Sequence, residues 1–415
     1  MAQREPEAVF TPKTIATREM FERRNESDLD GNPGLQDNLR DALRESGGQV
    51  VLYGDTGVGK SSLLRYAAED EQLETVLVEC LSSKSYEDLM EDAIRKLVDV
   101  REISHTTTTS IRAEVEGEAK VKFLVSLKGK LTGSREKGRE FEVVQASPLD
   151  ALLAAMRETK TDLLVLDNFQ NIASVDSRHL VAQTMEFLSD RAAETSDVKA
   201  VIIGIADDAP ALIGGSGSFR RRVTEIGVPR MPDDEIRAVL VRGFKLLEVA
   251  VSPDVLARLV FYSDGFPYFA HLLGLHAARW ARRQQSHTVN IDDVDRALKR
   301  AVNSVDQSYA DRIQKAFEAG GDVQPRKSLL RIFAQSDRRE WKSPDVIAAW
   351  EAKFGQRDAY QFLHVALAAL LDEAHGKILK RKGTRNKYVY QFDDPYMRPY
   401  LRLTQTEDDA ESQGR

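Results

Sequence analysis

Eight consecutive residues near the start of the chain, Gly54–Ser61 (GDTGVGKS), have the types and spacing of a phosphate-binding loop. The apolar run VVLY precedes them and the helical pattern SSLLRYAAE follows. Glycines let the backbone turn its amides toward phosphate oxygens, and a helix start adds partial positive charge. In such a loop Lys60 would contact the β- and γ-phosphates, and the Ser61 hydroxyl would bind Mg²⁺. The predicted nucleotide contacts are Gly54, Asp55, Thr56, Gly57, Val58, Gly59, Lys60, Ser61 and Ser62.

A second strand carries the carboxylate that such a site needs. The run TDLLVLDN is apolar and ends in Asp167, which we expect to hold Mg²⁺ through water. The next residue is Asn168, whose amide orients water but does not accept its proton. Because general-base catalysis contributes roughly 10²–10⁴-fold, we expect slow ATP hydrolysis unless another carboxylate substitutes. The candidates for that role are Glu79, Asp207 and Asp208.

Short apolar strands alternate with helical patterns through this part of the chain. The strands are VVLY (50–53), TVLVEC (75–80), DLLVLD (162–167) and KAVIIGIA (199–206). Continuous apolar strands between helices indicate an α/β fold with a parallel sheet covered on both faces. Ligands of such sheets bind beyond the carboxyl ends of the strands.

Composition divides the chain into segments. We predict an N-terminal extension (1–45), an ATPase core (46–230), a helical lid (231–304), a winged-helix domain (320–404) and a disordered tail (405–415). Within the core, a Thr-, Lys- and Gly-rich segment at about 103–145 has alternating apolar residues and predicts a β-hairpin insertion. The insertion is either a solvated surface hairpin or an arm that contacts a partner or DNA.

The strands, the phosphate loop and Asp167 follow one another in the order typical of ASCE-class P-loop ATPases of the AAA+/STAND group. The chain resembles these ATPases and is similar to origin-recognition initiators and bacterial signalling ATPases. The resemblance implies ATP and Mg²⁺ as ligands, and self-association. It also implies that Arg222 is an arginine finger that reaches the γ-phosphate of a neighbouring subunit. Arg221 is the second choice for this role. Asp207 occupies the sensor 1 position, where an acid departs from the usual pattern. Alternatively, the arginine run, which is Arg220, Arg221 and Arg222, is a solvated surface, and Asp207 only begins a loop.

The segment SDGFPYFAHLLG (263–274) resembles the G-x-P motif in the lid of STAND ATPases. The resemblance implies that Pro267 packs near adenine. The sensor 2 arginine of AAA+ lids is missing here. The alternative is that Gly265 and Pro267 form only a helix-breaking turn.

Residues 326–402 resemble the winged helices that follow such lids. Ser343 is the expected N-cap of the second helix. We predict that the third helix ends at Gly376 and buries Phe362, Val365, Ala366, Ala369 and Leu370. Residues 321–404 contain 16 Lys and Arg against 10 Asp and Glu, which suggests contact with a phosphate backbone. The alternative is internal packing. The predicted DNA contacts are Lys380, Arg381, Lys382, Arg385 and Lys387.

The composition of the chain excludes several further classes of function. The 415-residue chain has 30% charged residues and a net charge of −7, so it is not uniformly basic. Its single cysteine, Cys80, excludes an internal disulfide and a cysteine-based zinc site, and no apolar run reaches the length of a membrane span. We expect a cytoplasmic protein without membrane contact. No catalytic triad, metal-ligand cluster or glycosidase-like carboxylate pair is present.

Two functions fit these observations. The first is a slow ATPase that works as an oligomerising switch on DNA through its winged helix. The second is a STAND-type signalling or defence ATPase whose winged helix packs internally and whose output is a protein partner. The basic C-terminal hairpin favours the first function, whereas Asn168 and the Gly265–Pro267 motif favour the second.

Overall fold

The computed structural model describes residues 4–25, 33–98, 147–206, 209–213, 217–302, 307–318, 325–355, 360–384 and 387–404. The predicted insertion at about 103–145, Asp207, Asp208, Arg385 and the tail 405–415 lie outside these ranges.

The chain divides into two compact units. The core unit comprises residues 23–55 and 59–229, and the C-terminal unit comprises residues 1–22, 56–58 and 230–415. The predicted N-terminal extension is therefore shared between the units, because its first 22 residues, including helix α1 (Pro6–Val9), group with the C-terminal unit.

Helices and strands alternate along the core unit. They are α2 (Leu35–Arg44), β1 (Gln49–Tyr53), α3 (Lys60–Asp70), β2 (Thr75–Glu79), α4 (Tyr86–Val98), α5 (Pro148–Thr159), β3 (Leu163–Asp167), α6 (Val175–Asp190), β4 (Lys199–Gly204), α7 (Ala209–Ile213), α8 (Gly217–Arg220) and β5 (Val223–Gly227). A single 3-10 turn, Phe169–Asn171, follows β3.

The five core strands form one sheet in the order β2-β3-β4-β1-β5, and every neighbouring pair is parallel. This is the α/β fold of P-loop NTPases, and it confirms the predicted parallel sheet. The strand β1, which precedes the phosphate loop, is central, and its residues 49–52 are buried. Because all strands run in one direction, Asp167 and the phosphate loop come at the same edge of the sheet.

One face of the sheet packs into a large apolar cluster. Val76 and Val78 of β2 and Leu164 and Leu166 of β3 belong to it, together with side chains of α4, α5 and α6. The intervening residues of β2 are exposed, because β2 is an edge strand.

In its described residues, the C-terminal unit contains helices and five short strands that form two sheets. They are α9 (Asp233–Leu246), β6 (Ala250–Val251), α10 (Pro253–Ser263), α11 (Pro267–Arg283), β7 (Thr288–Val289), α12 (Ile291–Val302), α13 (Gln307–Phe317), α14 (Pro325–Gln335), β8 (Trp341–Lys342), α15 (Ser343–Phe354), α16 (Tyr360–Leu370), β9 (Leu379–Lys382) and β10 (Val389–Phe392). The strands form a pair, β6-β7, and a three-stranded sheet, β8-β10-β9, whose neighbours are antiparallel. Residues 397–404 are helical.

Two helix ends differ from the sequence-based prediction. Ser343 is the first residue of α15 and not its N-cap, which is Lys342. The side chain of Asp345 accepts the backbone N–H of Lys342 at 3.1 Å, and this contact replaces the expected serine cap. Helix α16 ends at Leu370, whereas Gly376 ends a separate 3-10 turn.

The buried face of α16 is also rotated from the prediction. Leu363, Ala366, Leu367 and Leu370 are buried, whereas Val365 is 67% exposed. The prediction was wrong for Val365. Two sets of residues on this apolar helix have helical spacing, and packing against neighbouring elements determines which set is buried.

Candidate nucleotide-binding site

The backbone of the phosphate loop adopts conformations that glycine accepts without strain. The φ angles are +144° at Gly54, +72° at Gly57 and +96° at Gly59. At Gly54 a Cβ atom would also lie 2.4 Å from the carbonyl oxygen of Val228. Gly59 is the N-cap of α3, so the loop leads directly into the amino end of an 11-residue helix. Backbone amides and the helix dipole favour a bound phosphate there.

Lys60 begins α3 and is only 8% exposed. Its ammonium group donates to the carbonyl oxygens of Gly54 at 3.0 Å and Asp55 at 2.8 Å. Burial lowers the pKa of Lys60 to about 8, although the carboxylates of Asp167 and Asp55 oppose this shift. The lysine is therefore held at the loop by acceptors that phosphate oxygens are able to replace.

Ser61 and Asp167 meet at the carboxyl edge of the sheet. The Ser61 hydroxyl donates to Oδ2 of Asp167 at 3.1 Å, which joins the first turn of α3 to the end of β3. Mg²⁺ bound together with phosphates needs only one or two protein ligands. Among the described residues, no group of three or more His, Cys, Asp or Glu could hold a metal ion. The hydroxyl and carboxylate oxygens of this pair fit Mg²⁺.

Asn168 follows the Mg²⁺-binding candidate in a left-handed conformation, with φ of +58°. It begins the 3-10 turn Phe169–Asn171, and its N–H donates to Oδ1 of Asp167 at 2.8 Å. Asparagine adopts this conformation far more readily than most residues. The backbone at this position therefore suits Asn better than the Glu of many AAA+ proteins.

Comparison with known families identifies this part of the chain. Residues 43–212, which include the phosphate loop, Asp167 and Asn168, match the family described as an AAA domain. This part of the chain is similar to AAA domains. The match confirms the P-loop ATPase assignment that the sequence motifs predict for the core.

No curated protein matches the chain. Among solved structures, the Walker-type ATPase of Pyrococcus abyssi is 17% identical, with 95% of this chain and 99% of that chain covered and a TM-score of 0.50. Cdc6p from Pyrobaculum aerophilum is 15% identical over 97% of this chain and 98% of its own, with a TM-score of 0.45. The Aeropyrum pernix ORC2 protein, in ADPNP and ADP complexes, is 14% identical over 95% and 98%, with a TM-score of 0.48. At these identities the similarity is one of fold.

The arginine run follows the matched residues and lies at the opposite edge of the sheet from Lys60. The carbonyl oxygen of Arg222 accepts from the backbone N–H of Gln49, the first residue of β1. Lys60 comes after the last residue of that five-residue strand, which spans about 16 Å. Arg222 also pairs with both carboxylate oxygens of Asp190, at 2.7 and 3.0 Å. Arg221 is exposed. The run therefore lies too far from its own Lys60 to contact the same phosphates.

The predicted lid motif forms a tight turn between α10 and α11. Gly265 has φ of +74°, and a Cβ there would lie 2.6 Å from the carbonyl oxygen of Met231. Pro267 begins α11, where its missing N–H costs nothing. The turn accounts for both residue types, and a contact between Pro267 and adenine stays a prediction.

A buried charge cluster in the C-terminal unit escaped the motif analysis. Asp264 lies next to three guanidinium groups, at 2.7 Å from Arg230 and 3.3 Å from Arg398 and Arg402. Burial lowers the pKa of Arg398 to about 10, and Asp264 opposes the shift. The only sequence signal is the Asp-Pro-x-x-Arg pattern that ends in Arg398. These ion pairs join the helical residues 397–404 to the turn that follows α10.

The basic hairpin, which we define as β9, β10 and the turn between them, presents its charges on two faces. In the antiparallel register Lys380 lies opposite Gln391, and Arg381 lies opposite Tyr390. Lys380 and Lys382 therefore share one face, and Arg381 lies on the other, with its guanidinium 4.0 Å from the Tyr388 ring centroid. Lys387 is exposed beside the turn.

Within the described residues, no helix is long and apolar enough to cross a membrane.

Proposed function

We propose that this protein binds ATP and Mg²⁺ through its AAA domain, hydrolyses ATP slowly and works as an oligomerising switch that acts on DNA. The observation that carries the proposal is the buried Lys60 ammonium beside the Ser61–Asp167 pair. These three side chains supply the phosphate contact and the two metal ligands that ATP–Mg²⁺ binding requires.

ATP would lie with its β- and γ-phosphates at the amides of the phosphate loop and at the Lys60 ammonium. Ser61 and Asp167 would hold Mg²⁺, which neutralises charge on the phosphate oxygens when it is bound. Asn168 would orient water without accepting its proton, so turnover is slow in comparison with enzymes that place Glu there unless another carboxylate accepts that proton.

A binding experiment with two lysine variants tests this proposal. Lys60→Ala should abolish ATP binding and leave the fold intact, because the hydrogen bonds of the Lys60 ammonium group go to carbonyl oxygens of the loop. Lys96→Ala is the matched control, since Lys96 is an exposed lysine of α4 that donates to the carbonyl oxygen of Leu77. Equal ATP affinity in the wild-type and a folded Lys60→Ala protein would refute the proposal.

Self-association would bring the arginine run to a neighbouring subunit. Lys60 lies at the carboxyl ends of the strands, whereas Arg222 lies at their amino ends. Arg222 therefore does not act on the ATP bound to its own subunit. An arginine that acts on ATP from this edge must therefore act across subunits. Arg221 is exposed, whereas Arg222 would first have to leave Asp190.

DNA binding would use the C-terminal unit. The order of α14, β8, α15, α16, β9 and β10, with its three-stranded antiparallel sheet, supports the winged-helix interpretation. Lys380 and Lys382 on one face of the basic hairpin, together with Lys387, supply positive charge for phosphate contacts. Such contacts position a protein on DNA and read little sequence.

One observation favours the alternative of a protein partner. The exposed side of α16 includes His364, Val365 and Ala368, and Val365 is 67% exposed. Of these three side chains only His364 can hydrogen-bond to a base edge, whereas a helix that reads bases needs several donors and acceptors on this side. ATP hydrolysis that duplex DNA does not stimulate, at low salt, would favour the signalling function.

A further inference from the structure

We propose that the carboxylate of Glu79, at the end of β2, accepts the proton of the water that attacks ATP and thereby takes the role that Asn168 cannot fill. The inference rests on the ATP hydrolysis proposed above. It concerns a residue that lies outside both the phosphate loop and the β3 motif.

The register of the sheet brings Glu79 next to Asp167. The two residues are directly paired at the last position of β2 and β3. Neighbouring strands lie about 4.8 Å apart, so the two Cβ atoms are separated by roughly one strand spacing. Just beyond this pair, the N–H of Cys80 donates to the carbonyl oxygen of Asp167 at 2.8 Å. This bond keeps the two strand ends together where chemistry would occur.

Both carboxylates lie on the face of the sheet that carries the phosphate loop's helix. Val78 and Leu166, one position earlier, belong to the apolar cluster on the opposite face. Side chains alternate along a strand, so Glu79 and Asp167 project to the other side. The Ser61 hydroxyl of α3 reaches Asp167 from that side. Glu79 is therefore placed beside the oxygen atoms that would hold Mg²⁺.

The Glu79 carboxylate is available for this role. Lys84 is the nearest candidate to neutralise it, but its ammonium donates to the backbone carbonyl oxygen of Glu79 at 2.7 Å and pairs with Asp92 at 2.6 Å. Across the described residues, no hydrogen bond or ion pair engages the Glu79 carboxylate, and the residue is exposed. A base that must meet a water molecule needs this access.

The chemical step balances with water as the only further reactant. The water oxygen forms a bond to the γ-phosphorus, and the bond from this phosphorus to the β–γ bridging oxygen breaks. ADP leaves with that electron pair, and Glu79 accepts the proton that the water loses. Phosphate is released, and Glu79 then returns the proton to solvent.

Isosteric removal of the base tests the proposal. Glu79→Gln should lower kcat by about 10²–10⁴-fold and leave ATP affinity unchanged. Glu79→Asp retains the carboxylate on a shorter side chain, so its kcat should fall between those of the wild-type and Glu79→Gln proteins. The matched control is Glu225→Gln, which makes the same change on an exposed residue of β5, the opposite edge strand. Its kcat should equal that of the wild type.

Three results would overturn the inference. The first is a wild-type kcat in Glu79→Gln, especially with a large loss in Asn168→Ala. The second is equal loss in Glu79→Asp and Glu79→Gln, which would indicate a structural role. The third is loss of ATP affinity in Glu79→Gln. A wild-type protein that binds ATP but never hydrolyses it would instead refute the proposed hydrolysis, and the base assignment with it.

Discussion

ATP affinity should fall as the pH rises above about 8, because ATP needs the Lys60 ammonium and burial lowers the pKa of that group to about 8. In this structure the ammonium donates to the carbonyl oxygens of Gly54 and Asp55. Phosphate oxygens of bound ATP would hold the proton more strongly and raise the pKa of Lys60. The pKa of Lys60 is higher in the complex than in the free protein. The affinity for ATP is therefore highest at a pH below the pKa of the free protein and falls as the pH rises through that value.

The magnitude follows from the two pKa values. If bound ATP restores the pKa of Lys60 from about 8 to its ordinary value of 10.5, linkage relates the two affinities directly. Between about pH 7 and about pH 9.5 the affinity should then fall about 30-fold, or about 2 kcal/mol. A phosphate group loses its last proton at about pH 6. The titration of ATP itself should therefore contribute little to the change in affinity.

Calorimetric titration with ATP and Mg²⁺ across this pH range is the assay. Lys60→Arg is the control, because a guanidinium group stays protonated throughout. The affinity of this variant, whatever its absolute size, should not change with pH. A flat wild-type profile, or an equal decline in Lys60→Arg, would refute the argument from the buried lysine.

Two further predictions concern the arginine run and the basic hairpin. Mixing the Lys60→Ala protein with an Arg221→Ala protein should restore part of the ATPase activity that each lacks alone, since one interface then combines an intact lysine with an intact arginine. No recovery at any mixing ratio would contradict a role across subunits. Joint replacement of Lys380 and Lys382 by Ala should flatten the dependence of log DNA affinity on log salt by about 1.8, at 0.9 for each phosphate. Arg381→Ala, on the other face of the hairpin, is the control, and an unchanged slope in the paired variant would favour a protein partner.

Features with local causes could be predicted from the sequence. The phosphate loop and the strand that ends in Asp167 are determined by residues close together in the chain, and the structure places both at one edge of the sheet. The strand limits agree within about two residues, which is the usual uncertainty of element ends. For example, β4 ends at Gly204, whereas the apolar pattern continues to Ala206.

Features that depend on the order of strands or on packing could not be predicted. The pairing of Glu79 with Asp167 arises because β2 and β3 are neighbours, although the two residues are 88 positions apart in the sequence. The partner of Arg222, Asp190, is likewise 32 residues away. Val365 shows the same limit within one helix, since its spacing fits a buried stripe and packing exposes it.

The Asp264 cluster bears on how a nucleotide switch would use its C-terminal unit. Removing one partner of a buried ion pair typically costs about 3–5 kcal/mol, because the other charge is then left buried without a partner. If the basic hairpin binds DNA, force on its end of the unit would be transmitted through Arg398 and Arg402 to Asp264. The turn after α10 and the residues 397–404 are joined by these ion pairs and would therefore move together when the unit responds to a ligand.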